Sequence, residues 1–354
     1  MRLDQSLRDL SSQRTACLGL ARPAVARALL VSFLSVGAAS HAACRSDSAG
    51  LSSSAQAKEA PATPAPAEAP IPGKRVATAG RALSVEEAHK LMPRADLSAL
   101  TPEQMGQLFE IAGDTFDYAG CNSTLAACLR EDVKDKHAPR MAALAAMLIR
   151  DGHSSGVVVE MLERYYAAFA QAKRVKLRSD DCGTMGPAKA PVVVVEFSDY
   201  QCPHCAVAAK PLQQMVEKGT PNVRLCSKYF PLSQHPRSQI AASVAEYARS
   251  KGKFWPLSDL LFEHQEELED ASLKAYAKQA GLDGNDMLKQ AYAGKYDALI
   301  ESHKAEGNAS GLRATPTFFF NGRLYTLPAR IDYLLFSVDD ELEWQRASGA
   351  WEKE

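Results

Sequence analysis

No apolar run in this sequence reaches about 18 residues, the length that a membrane-spanning helix needs, so a multi-span membrane protein is excluded. Neither sign of charge is in excess: 41 Lys+Arg stand against 42 Asp+Glu, a net charge of −1 over 354 residues. That balance offers no electrostatic footprint for nucleic acid, and no nucleic-acid motif is present. Eight cysteines are too few for a disulfide-dense miniature scaffold. There are no internal repeats. His89, His137, His153, His235, His264 and His303 show no metal-ligand spacing and read as surface or core residues, so no metal site is expected. What is there is ordinary for a globular protein, 46% hydrophobic and 23% charged, with chain enough for about two domains.

The N-terminus sets the compartment. Residues 28–39 (ALLVSFLSVGAA) are apolar and short, with Arg22 and Arg27 before them and Ser40-His41-Ala42-Ala43-Cys44 after. This is the layout of a secretory signal peptide over 1–43. Two cleavage readings compete. Ser40-His41-Ala42 fits an ordinary small-residue site. Ala42-Ala43-Cys44 resembles a bacterial lipobox with Cys44 as the acylated residue, although His41 stands where Leu is usual. Cysteine arithmetic favours the lipobox, because removing Cys17 and acylating Cys44 leaves six cysteines that can form three pairs. Residues 44–82, rich in Ala, Pro and Ser, lack the apolar periodicity to bury a core and read as a tether.

Residues 83–180 read as a small all-helical domain. Thr101-Pro102-Glu103-Gln104 is a capping box with proline at the first helical position. Met105, Leu108, Phe109, Ala112 and Phe116 follow at helical spacing, with Gly120 as the stop. Helices are also expected over 138–150 and 156–173. From residue 181 the pattern turns to mixed α/β. Val192-Val193-Val194-Val195 is a strand buried on both faces, 203–219 a helix containing Pro211, and 222–227 a second strand. Residues 238–310 are almost all helix. A strand at Thr317-Phe318-Phe319-Phe320, an Asn321-Gly322 hairpin turn and a last helix over about 329–347 complete the chain.

Cys202-Pro203-His204-Cys205 lies between a buried strand and a helix. A C-x-x-C there is a redox pair for physical reasons. Unsatisfied N–H groups and the helix dipole favour an anion at the first cysteine. The dipole contributes roughly 0.3–1 kcal/mol, up to ~2 when partly buried, or about one pKa unit at about 1.36 kcal/mol each. His204 can add a hydrogen bond or a positive charge. A stabilised thiolate favours the dithiol and so makes the disulfide oxidising. Zinc would need a second ligand pair, and Cys121 and Cys128 lack the spacing for it.

The stretch Phe197-Ser198-Asp199-Tyr200-Gln201-Cys202-Pro203-His204-Cys205 resembles the active-site segment of the DsbA-like thiol:disulfide oxidoreductases of the thioredoxin superfamily. Lys228-Tyr229-Phe230-Pro231-Leu232, His235-Pro236, Gly252-Lys253-Phe254-Trp255 and Thr315-Pro316-Thr317-Phe318-Phe319 extend the likeness in order over about 185–345. The resemblance implies an α/β fold, a thioredoxin domain over 181–354 with a helical insertion at about 238–310. It implies that Cys202 is the exposed nucleophile and Cys205 its buried partner. Thr315-Pro316 matches the loop whose cis-proline faces the disulfide, where the Thr315 backbone can pair with an extended substrate. Glu196, six residues before Cys202, matches the family's acidic residue, which as a buried carboxyl of raised pKa can pass a proton to or from Cys205. Asp199 is nearer in sequence but expected at the surface. Pro-His between the cysteines resembles the oxidase, whereas Thr before the cis-proline is more typical of isomerase-like and reductase-like relatives.

Four cysteines remain. Cys182 precedes the first long strand and Cys226 lies on the second, and a structural disulfide between them competes with two buried thiols. Cys121 and Cys128 would stand ~10 Å apart along one continuous helix, too far to bond, so a bond requires a turn between them. That bond would either staple the bundle or serve as a second redox pair. His137 to Tyr166 weakly resembles the three-helix thiol-oxidoreductase domain of cytochrome c biogenesis proteins, without its C-x-x-C. Taken together, the sequence predicts a cell-envelope oxidoreductase, lipid-anchored at Cys44, that exchanges disulfides with envelope proteins. The oxidase direction is favoured, with a membrane redox partner and no cofactor. An isomerase or reductase, or a chaperone-like holder of unfolded envelope proteins, is the alternative.

Overall fold

The computed structural model describes residues 82–118, 121, 123–131 and 137–349. The expected signal peptide, Cys44 and the tether as far as residue 81 lie outside the described residues.

Helices come first. α1 (Val85–Leu91) opens with a Ser84/Glu87 capping box, and α2 (Pro102–Asp114) with the Thr101/Gln104 box read from the sequence. α2 was expected to run to Gly120 and instead stops at Asp114. The chain doubles back there: Leu125 N–H donates to the Thr115 carbonyl, Asp117 N–H donates to the Ser123 carbonyl, and Phe116 pairs with Thr124 as an isolated antiparallel bridge. Backbone groups that a longer helix would use are therefore taken by the returning strand. The reversal leads into α3 (Leu125–Arg130) and brings Cys121 and Cys128 together as a disulfide, with Cα atoms 5.8 Å apart. α4 (Ala138–Arg150) is buried along most of its length. α5 (Ser155–Ala167) ends short of the expected residue 173, which falls in a separate 3-10 turn at Gln171–Lys173.

The mixed sheet follows. Its strands are β1 (Gly183–Met185), β2 (Val192–Ser198), β3 (Val223–Tyr229), β4 (Thr317–Phe320) and β5 (Arg323–Leu324), in the order β1-β3-β2-β4-β5. β2 and β3 are parallel and the other pairs antiparallel. α6 (Pro203–Gly219) makes the crossover from β2 to β3, with Pro211 inside it. The insertion between β3 and β4 holds α7 (Ser238–Ser250), α8 (Phe254–Glu263), α9 (Asp270–Gln279), α10 (Gly284–Tyr292) and α11 (Asp297–Ala309). α12 (Ile331–Arg346) closes the chain. Asn321 (φ 48°) and Gly322 (φ 80°) form the expected turn between β4 and β5. A side chain at Gly322 would also collide with the Val175 carbonyl, its Cβ 2.1 Å away.

The alternation of β2 sorts the core. Val192 and Val194 face α6 and α12 in a cluster with Leu212, Phe320 and Tyr333. Val195 and Phe197 face the other way, against Cys182, Cys226, Phe230 and Phe319. The N-terminal helices join the first cluster: Leu108, Met141, Leu144 and Leu162 pack into the same continuous core. Full burial of one such side chain stabilises by about 1.5–3 kcal/mol, so this shared core holds the N-terminal helices against the sheet and its flanking helices. Buried charges run alongside it. Arg140 Nη1 lies 2.6 Å from Asp340 Oδ1 with both side chains enclosed, and Glu341 takes Arg174 in a two-pronged pair and Arg323 Nε at 3.2 Å.

Candidate redox site

The site is built where β2 ends and α6 begins. Cys202 is the N-cap of α6 and Pro203 its first residue, where the missing N–H is no loss. The Cys205 N–H donates to the Cys202 carbonyl at 3.0 Å, which closes the first turn and puts both sulfurs at the helix start. Both are free thiols. Cys202 was expected to be the exposed member and is more enclosed than that: it keeps 5% of its surface and Cys205 keeps none. Its sulfur is tucked against the loop before β4, with Sγ 3.3 Å from the Thr315 carbonyl, which accepts from it when the thiol is protonated. The Thr315–Pro316 bond is cis. A second cis bond, Thr220–Pro221, lies in the turn between α6 and β3 and was not foreseen.

The two thiols are driven apart. Cys202 is held well below the usual thiol range, first by the hydrogen bond from the Cys205 thiol, with further help from the Thr315 side chain and the backbone N–H groups of Cys205 and His204. Burial pushes Cys205 far up, and the Cys202 sulfur pushes it further. A deprotonated Cys202 over a protonated Cys205 is therefore the stable arrangement of the dithiol. The His204 side chain is exposed, so what this residue directs at Cys202 is its backbone N–H.

Glu196 lies on the α6-facing side of β2, two and four residues after Val194 and Val192, as strand alternation requires. It is 3% accessible, and its Oε1 has no hydrogen-bond partner. Burial pushes its carboxyl up to about 7 against the opposing pull of the Ser227 and Ser198 hydroxyls. Its charge also acts on Cys205. Asp199 corrects the sequence reading. It is 2% accessible, because Leu232 N–H and His235 Nδ1 both close on its Oδ2 at 2.8 Å.

Among the described residues the other four cysteines are paired with one another. Cys182–Cys226 joins the loop before β1 to β3, with Cα atoms 5.5 Å apart. Beside it, the fully buried Lys228 lies between Asp181 and Glu306. Burial and the nearby Lys228 charge keep His303, in the same cluster, neutral, its pKa lowered to about 4. No group of His, Cys, Asp and Glu arranged to hold a metal occurs among the described residues.

Residues 180–340 match the Thioredoxin family. The five-stranded sheet and the helices around it over that stretch have a thioredoxin-like fold. Among solved structures it is similar to oxidised BdbD from Bacillus subtilis, at 23% identity and TM-score 0.44, over 48% of this chain and 97% of that one. A thioredoxin-like oxidoreductase from Silicibacter pomeroyi is 27% identical with a TM-score of 0.42, over 48% and 94% of the two chains. By sequence, 155 residues are 39% identical to a Na(+)/H(+) antiporter NhaA 1 of Salinispora arenicola, covering 43% of this chain and 24% of that protein. The chain thus spans about a quarter of that relative's length. No helix among the described residues is long and apolar enough to cross a membrane.

Proposed function

We propose that this chain is a cell-envelope thiol:disulfide oxidoreductase that oxidises client proteins through Cys202 and Cys205. The observation that carries the reading is the placement of the pair: Cys202 at the N-terminus of α6 against the cis-proline loop, and Cys205 fully buried in the first turn behind it. A stabilised Cys202 thiolate favours the reduced protein and so makes its disulfide an oxidant.

In the reaction, a client thiolate attacks the Cys202 sulfur of the oxidised pair. The client–Cys202 bond forms, the Cys202–Cys205 bond breaks, and Cys205 leaves with the electron pair. Cys205 is a basic leaving group, and a proton must reach it in the same step. Glu196, protonated below about pH 7 and on the same side of β2 as α6, is the group to supply it. A second client thiolate then attacks the client sulfur of the mixed disulfide. The client disulfide forms, Cys202 leaves as its stabilised thiolate, and two electrons have passed to the pair. A disulfide-bearing membrane partner would return the pair to the oxidised form.

The signal-peptide pattern and Cys44 support an envelope location with a lipid anchor. The helical segment 83–180 is read as a domain tied to the thioredoxin part over 181–354 by the core they share. A reductase or isomerase direction is the second reading, favoured by Thr315 before the cis-proline.

The test is to mix the oxidised protein with a reduced, unfolded client and follow disulfide formation, alongside equilibration with glutathione. A potential near −120 mV, like that of a strong oxidant, supports the oxidising direction, whereas one near −270 mV assigns the chain to reduction or isomerisation. Suppression of client aggregation that survives Cys202→Ser, without any thiol turnover in the parent protein, would make it a holder instead.

A further inference from the structure

Both ends of the turn between β2 and α6 are held by one side chain. Asp199 Oδ1 accepts the Gln201 N–H at 2.8 Å, closing the turn on itself. Asp199 Oδ2 accepts the Leu232 N–H at 2.8 Å and meets His235 Nδ1 at the same distance. The Asp199 carbonyl accepts the Cys202 N–H at 3.1 Å, while its own N–H faces the Cys205 sulfur. The neighbouring contacts repeat the pattern. Gln201 Oε1 accepts the Arg237 N–H at 2.6 Å, and Phe230 N–H donates to the Ser198 carbonyl at 2.8 Å. The segment just ahead of the cysteines is thus stitched to the loop 230–237 that leads into the helical insertion.

We propose that Asp199 is a positioning residue of the redox pair, with His235 as the donor that fixes it. The inference rests on the reading of Cys202 and Cys205 as that pair. Asp199 is not a second proton carrier, because its carboxylate oxygens are already taken by donors from Gln201, Leu232 and His235 and its side chain is fully enclosed. A buried carboxylate so occupied is a fixed point. What it fixes is the direction of the first N–H groups of α6, which support the Cys202 thiolate, and the seat of Cys205 beneath them. Arg237 does not compete for it: its guanidinium turns away to the Leu268 carbonyl, Asp270 and Tyr292. Glu196 leaves β2 on the α6-facing side. The helical insertion therefore bears on the thiol chemistry through the loop that leads into it.

The experiment compares Asp199→Ala, Asp199→Asn, His235→Leu and His235→Asn in the whole protein. The readouts are the pH titration of the Cys202 thiolate absorbance, the equilibrium constant with glutathione, and the melting temperature. Asp199→Ala is expected to raise the Cys202 pKa by about one unit and to shift the glutathione equilibrium about tenfold toward the disulfide, a fall in potential of about 30 mV. Asp199→Asn, which keeps one acceptor oxygen, and His235→Asn, which keeps a donor, are expected to recover most of both. His235→Leu, which lies outside the turn, gives about a threefold shift and serves where Asp199→Ala does not fold. Folded variants whose thiolate titration and glutathione constant stay within twofold of the parent, with only the melting temperature lowered, would overturn the proposal. A parent protein that fails to equilibrate with glutathione would overturn the assignment of the pair, and the positioning role with it.

Discussion

Two cysteine pairs sit beside helix starts in this chain, and their surroundings are opposite. At Cys202 and Cys205 both sulfurs belong to one helical turn, and beside the Thr315 carbonyl Cys202 meets donors: a thiol, two backbone N–H groups and the Thr315 side chain. At Cys121 and Cys128 one sulfur belongs to α3 and the other to the reversal before it, and the Glu131 carboxylate stands 3.8 Å from Cys121. A carboxylate beside a sulfur disfavours thiolate, whereas aligned N–H donors favour it. The first pair is free and primed to exchange; the second is closed. The difference teaches that cysteine spacing names the candidates, while the charge around each sulfur decides the chemistry.

The comparison can be broken outright. Cys202→Ser is expected to bring client oxidation down to background, while Cys121→Ser with Cys128→Ser leaves turnover within twofold of the parent; a marked loss in the second variant would make that pair a relay. Next in size, Glu196→Gln is expected to slow mixed-disulfide formation on the order of 10²-fold below pH 7, the usual weight of a positioned acid, as read by stopped-flow mixing with a client peptide.

The same change has a stability signature. Glu196 is raised from 4.5 to about 7 in the folded protein, so its neutral form supports the fold at low pH, and that support is lost as pH rises through 7. Above pH 7 Glu196→Gln should therefore be more stable than the parent by about 3 kcal/mol, and near pH 4 no different, in denaturant titrations at the two pH values. The Cys121/Cys128 double variant is expected to lose about 2.5 kcal/mol at all pH values, the entropy of a short closed loop. The smallest effect sharpens the contrast: Thr315→Val removes one donor and should move the midpoint of Cys202 alkylation up by a few tenths of a pH unit.

Much of this was legible because it is local. The capping box at Thr101, the valine run of β2, the Asn321-Gly322 turn and the C-x-x-C at a strand–helix junction each carry their cause within a few residues. What escaped is set by partners distant in sequence. β1 has three residues and no pattern of its own; it exists because β3 offers it an edge. α2 ends at Asp114 because the returning chain takes the Thr115 carbonyl. Asp199 looked like a surface residue in its own segment, and it is buried because Leu232 and His235 arrive from the far side of β3. Within the site, the cysteine pair and Glu196 could be named from sequence and its resemblance, whereas the donors that hold the turn could not.

The sheet's outer strands have a consequence for a protein that would spend its working life among unfolded chains. β1 has three residues and the Cys182–Cys226 disulfide ties the residue before it to β3; β5, at the other edge, has two. Neither rim offers the long row of unpaired backbone on which an extended chain adds as a further strand and seeds aggregation.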